Sequence, residues 1–158
     1  MLLAILLAAA TPYLDMSGGP AFLHQNGRPG VGSGPLLRMN LGMPVADRLA
    51  AELWLSGAMD RAPASSPGDR AFVAAGAGGR LLVDKFGEEQ KWGLWLHAGA
   101  GLGVAAAGEG SPGPTGFAGA LVSFQPFVKR FMLGIEADGV AWKKAIGFAV
   151  LPSLRCAF

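Results

Sequence analysis

The stretch Trp92-Gly93-Leu94-Trp95-Leu96-His97-Ala98-Gly99-Ala100-Gly101-Leu102-Gly103-Val104 decides the fold class. Every second residue is apolar: Trp92, Leu94, Leu96, Ala98, Ala100, Leu102 and Val104. Between them stand Gly93, Trp95, His97, Gly99, Gly101 and Gly103. A helix holding that many glycines would lose about 1 kcal/mol at each relative to alanine. A strand sends alternate side chains to opposite faces, so the segment reads as a strand with one greasy face and one of small and polar groups.

The same period of two recurs on both sides. In 131–139 Phe131, Leu133, Ile135, Ala137 and Gly139 oppose Met132, Gly134, Glu136 and Asp138. In 146–158 Ile146, Phe148, Val150, Pro152, Leu154, Cys156 and Phe158 share a face. Segments 36–43 and 49–59 set leucines and methionines against Arg38, Asn40, Glu52, Trp54 and Ser56. Segments 72–83 and 116–127 alternate less cleanly, and 13–24 is the weakest, broken by Gly18-Gly19-Pro20. All eight segments exceed the ~5–6 residues usual in globular sheets and match the ~9–11 that cross a bilayer at a tilt. The connections at 25–34, 60–69 and 105–115 are long and Gly/Pro-rich, whereas those at 44–48, 84–90 and 128–130 are short. Long loops at one end and tight turns at the other are the rhythm of a membrane barrel. By that rhythm the last join, near 141–145, should be long, and it is not.

Alternation does not say which face looks at what; composition does. The 158 residues are 51% hydrophobic and only 15% charged, against roughly 25% charged in soluble domains. Disorder is excluded, and there is too little charge to cover a soluble surface. No uninterrupted apolar run approaches the ~20 residues of a membrane helix. The face opposite the apolar one is mostly Gly, Ala and Ser with isolated charges at Arg38, Glu52, Arg80, Glu136, Asp138 and Arg155, besides His97. Those suit the interior of an eight-stranded barrel, just wide enough for side chains to fill. Three arginines against three carboxylates are expected to pair there, because an unpaired buried charge is costly. Glu136 and Asp138, two residues apart, share a face, and Arg155 on the neighbouring last strand is their expected partner. Arg or Lys facing lipid costs ~2–4 kcal/mol at the midplane, consistent with an apolar face that carries no charge.

Residues 1–10, an apolar stretch ending in Ala8-Ala9-Ala10, read as a secretory signal peptide, leaving 11–158 as the barrel. Net charge is +2 with scattered basic residues, so nucleic-acid binding, which needs a basic stripe with interleaved aromatics, is not expected. Cys156 is the single cysteine and His24 and His97 the only histidines; no metal or cofactor is expected. His97 with Glu136 or Asp138 has the composition of an acid–base site, but hydrogen-bonded interior packing is the preferred reading. The glycines of 76–79 and 99–103 lack the GK[ST] ending of a phosphate loop.

The final strand, apolar at every second position from Ile146 to a terminal Phe158, resembles the C-terminal signature of bacterial outer-membrane barrels. With the Gly-rich strand at 92–104 and FMLGIEADG at 131–139, the chain resembles the small OmpA/OmpX-type eight-stranded barrels of Gram-negative bacteria. The resemblance implies an all-β, eight-stranded antiparallel up-and-down transmembrane barrel in the outer membrane, surrounded by outer-membrane lipid. It also implies that Phe158 is read by the barrel-assembly machinery. Such barrels carry aromatic girdles rich in tyrosine; here Tyr13 is the only tyrosine. Trp92, Phe127, Phe131, Trp142 and Phe158, near strand ends, are the expected interfacial anchors instead. Pro152 cannot donate to a ladder and predicts a local break or bulge. The expected role is a structural anchor or interaction subunit, not an enzyme, within a larger envelope assembly such as a motility or secretion complex. The alternatives are a lipid-modifying barrel enzyme and a soluble calycin-like binder with its apolar face inward.

Overall fold

A computed structural model describes residues 11–27, 30–61, 70–105, 111–126, 130–143 and 145–158. Eight strands follow one another: β1 (Tyr13–Gln25), β2 (Gly32–Ala46), β3 (Leu49–Asp60), β4 (Arg70–Phe86), β5 (Trp92–Ala105), β6 (Gly113–Phe124), β7 (Phe131–Trp142) and β8 (Ala145–Ala157). Each pairs antiparallel with the next, and β8 returns to β1, closing the barrel. Closure leaves no free edge, so backbone polar groups can be satisfied within the sheet, the condition for crossing hydrocarbon with strands.

The alternation holds all the way round. Leu37, Leu53, Leu102, Ile135 and Ile146 are each 60% or more exposed on the outside. Asp15, Arg38, Asn40, Glu52, Arg80, His97, Glu136 and Asp138 are buried inside. Large apolar side chains turned outward and ionised ones turned inward is the reverse of a soluble ligand-binding barrel, which sets aside the calycin-like alternative. The apolar part of the interior is a cluster towards the long-loop end, built from Leu23, Leu36, Trp54, Phe117, Val140 and Leu151 among others.

The strand limits differ somewhat from those expected from the sequence. β2 begins at Gly32, inside the expected loop 25–34, and β6 ends at Phe124 instead of 127. Glycine looks like loop in a sequence, but here the strand requires it: a Cβ on Gly34 would sit 1.7 Å from the Met59 carbonyl oxygen. The short-turn end is made by Asp47–Arg48, by a 3-10 turn at Glu88–Gln90 and by the β6–β7 connection. Bulges at Pro44/Ala46 and Leu82/Asp84 lie at that same end. At the other end β7 and β8 are separated by two positions only, so the long-loop rhythm stops short there. The expected signal segment 1–10 and Phe127 lie outside the described residues.

Candidate functional site: the interior ion-pair layer

Strands β1, β2, β3, β4, β5, β7 and β8 each send at least one ionisable side chain to the axis. Arg80 on β4 is fully buried, its Nη1 donating to Asp15 Oδ2 at 2.7 Å. Its Nε lies 3.1 Å from Glu52 Oε1, and its Nη2 3.6 Å from Glu136 Oε1. Arg38 on β2 donates through Nη2 to both Glu136 Oε2 and Asp138 Oδ2, the latter at 2.6 Å. His97 Nε2 meets the other Asp138 oxygen at 2.6 Å. Arg155 donates to Asp15 through Nε and Nη2, at 3.3 and 3.2 Å. The Tyr13 hydroxyl donates to Glu52 at 2.7 Å. The result is one connected chain of charges spanning the lumen. Charge-assisted bonds of this kind are the strong ones, and the layer has to be complete because a buried charge stripped of its partner costs several kcal/mol.

Arg38, Glu52, Arg80, His97, Glu136, Asp138 and Arg155 are therefore all brought into one layer. Two details differ from expectation. Glu136 and Asp138 are clamped by Arg38 across the lumen, while Arg155 on the adjacent strand turns to Asp15. Asp15 is also a fourth carboxylate, which the sequence reading missed because it lies in the poorly alternating 13–24. Its signal was one of parity: Tyr13, Asp15 and Ser17 share a face.

The two interior tryptophans have structural roles. Trp54 donates to the Ala77 carbonyl at 3.2 Å and packs edge-on against Phe117, with ring centroids 5.4 Å apart. Trp95 donates to Ser123 Oγ at 2.9 Å. Guanidiniums cap the rings: Arg38 stands 4.0 Å from the Phe117 centroid and Arg155 4.0 Å from that of Tyr13, geometry in which the cation is attracted to the ring face.

The ligand atoms of His97, Glu136 and Asp138 lie within 4.8 Å of one another, a spacing a metal ion could use. The Arg38 guanidinium already bridges those two carboxylates, so a metal would have to displace it. The trio is an ion-pair cluster with its own cation. The same residues sit inside the barrel, on the inward faces of β5 and β7.

Outside, Trp92 stacks on Phe86 and meets Phe124 at a tilt, at centroid distances of 6.4 and 4.9 Å. With exposed Phe131 and Phe158 these rings gather at the short-turn end. Phe86 and Phe124 were not singled out from the sequence. Trp142 departs from its expected role: it lies on the inward parity of β7, at the long-loop mouth, packed on Phe72 at 4.6 Å and on the interior apolar cluster. Its position at a strand end was legible; its face was not weighed.

No protein-family model and no curated protein matches the chain. Solved structures do. Neisserial surface protein A is similar with a TM-score of 0.73 and 16% identity, covering 95% of this chain and 99% of that one. Ail, the attachment invasion locus protein of Yersinia pestis, is similar with a TM-score of 0.59 and 14% identity, covering 94% and 99%. Ail also matches as an outer membrane protein in a phospholipid bilayer nanodisc, with a TM-score of 0.53, 12% identity and coverage of 94% and 99%. This chain has the fold of the small eight-stranded outer-membrane barrels. At these identities the likeness is one of fold, and the outward apolar side chains agree with it independently.

Proposed function

We propose that the protein is a closed outer-membrane barrel that acts as an anchor or interaction subunit, and that it neither conducts solutes nor catalyses. The ion-pair layer carries this reading. Arg38, Arg80 and Arg155 interlock with Asp15, Glu52, Glu136 and Asp138 across the lumen, occupying the space a pore would need. Asp15, Glu52, Glu136 and Asp138 each face a guanidinium, and none of them lines either of the two larger cavities at the barrel mouths. What remains for interaction is the two rims. The names of the fold neighbours, a surface protein and an attachment protein, favour the long-loop rim as the face shown to partners outside the cell. Docking into a larger envelope assembly, such as a motility or secretion complex, belongs to this reading, as does delivery by the barrel-assembly machinery through Phe158.

The test is electrical. Purified protein refolded into planar lipid bilayers should give no steps above the bare-membrane baseline, while its gel mobility differs between unboiled and boiled samples, as a folded barrel requires. Steady channel conductance of the native chain would overturn the closed-lumen reading.

A further inference from the structure

Beyond the ion-pair layer, at the short-turn end, the lumen widens into a cavity of about 220 Å³. Three guanidiniums line it: Arg155 at its base, and Arg48 and Arg130 at its rim. Arg155 is 8% exposed, and both its bonds go to the one oxygen Asp15 Oδ2. That oxygen also accepts from Arg80, so a single carboxylate oxygen serves two cations and Arg155 is under-neutralised. Arg48 and Arg130 are exposed and form no ion pair among the described residues. Asp47 is the one acidic residue in the lining. The Tyr13 and Trp95 rings, which face Arg155 at 4.0 and 5.3 Å, supply an apolar wall together with Met132.

This combination selects a ligand class. Guanidiniums match planar carboxylates through paired N–H donors, and the apolar wall accommodates a short aliphatic stem beside the charge. The volume lies below the ~300 Å³ at which small-molecule pockets begin, so a nucleotide or a folded surface does not fit, whereas one or two residues of an extended peptide do. Tyr13, Trp95 and Arg155 belong to the inward face, so the occupant arrives from water through the barrel mouth and not from the bilayer. We propose that this vestibule binds a peptide carboxylate, either a chain terminus or an Asp or Glu side chain. That the mouth faces the periplasm rests on the outer-membrane reading above; the binding itself does not.

The experiment uses the full chain in detergent micelles with ¹⁵N-labelled tryptophan, whose indole signals report Trp54, Trp92, Trp95 and Trp142 separately. Acetyl-Ala-Leu with a free terminal carboxylate and acetyl-Glu-amide are titrated as the two probes. Acetyl-Ala-Leu-amide and inorganic phosphate serve as controls. The expected result is a saturable shift of the Trp95 indole with at least one carboxylate probe and none with the amide; the two probes distinguish a terminus from a side chain. The pair Arg48→Gln and Arg130→Gln, both on the exposed rim, should weaken it about tenfold or more while the heat-dependent gel shift persists. The proposal is overturned if neither probe saturates, if the amide shifts Trp95 equally, if phosphate binds as tightly as the peptides, or if the double variant binds unchanged. A conducting native barrel would refute the closed-lumen reading and leave this result standing.

Discussion

Arg80 and Arg155 are the same residue type in the same layer, yet the structure asks different things of them. Arg80 is fully buried among Asp15, Glu52 and Glu136. Arg80→Ala leaves three carboxylates short of a cation, and breaking a buried pair by removing one partner costs about 3–5 kcal/mol. Arg155 answers only Asp15, which keeps Arg80, and it borders the aqueous vestibule; Arg155→Ala should cost clearly less. Urea unfolding of both variants in detergent, followed by gel mobility, checks the order. An Arg155→Ala variant as damaged as Arg80→Ala would contradict this division of labour. The membership of the layer was legible except for Asp15, because a charge on the small-residue face of a clearly alternating strand has nowhere else to point. The pairing was not. Arg38 on β2 and Glu136 on β7 are 98 residues apart and meet across the lumen. Alternation fixes which way a side chain faces and which neighbours flank it, but says nothing of chords through a closed barrel.

The strands themselves were the readable part, since each had to show lipid one face and the lumen the other; their ends were less so, because the Gly/Pro-rich margins of β2 and β6 look like loop. Proline also marks where closure is weakest. Phe158 N–H donates to the Pro12 carbonyl, so even-numbered positions on β8 and β1 present their backbone groups to the seam between these strands. Pro152 and Pro20 share that parity. Each therefore removes a donor from this one seam, and the pairing that runs to Ser17↔Ser153 resumes only at Ala21↔Ala149. The expected break at Pro152 is thus a gap in the ladder with the register kept, not a bulge. Pro152→Val restores an N–H opposite Gly18 and should stabilise the folded barrel by about 0.5–1.5 kcal/mol, the net worth of a hydrogen bond. A higher urea midpoint, with slower amide exchange at Gly18, is the expected outcome. No rise in midpoint together with unchanged exchange would mean that the seam is not limited by its missing donors.

At the scale of the whole molecule, the basic residues among those described occupy three zones. Arg48, Lys85, Lys91 and Arg130 sit at the short-turn end, Arg61, Arg70 and Lys143 at the long-loop end, and Arg38, Arg80 and Arg155 inside. Trypsin cuts after Arg and Lys, so it reads this layout directly. With the barrel inserted in sealed vesicles, cleavage after Arg38 and Arg80 should be absent, because both side chains are within 2% of full burial and their strands are paired on either side. If insertion is uniform, external protease should cut at one rim only, either after Arg61, Arg70 and Lys143 or after Arg48, Lys85, Lys91 and Arg130. Opening the vesicles should then expose the other set. Mass spectrometry of the fragments distinguishes these patterns. Loss of the interior protection on boiling, with protection in the unboiled sample, would tie it to the closed barrel and not to lipid shielding alone. Cleavage after Arg80 in unboiled, lipid-inserted protein would show that the charge layer does not fill the lumen, and the apolar exterior would then need another explanation.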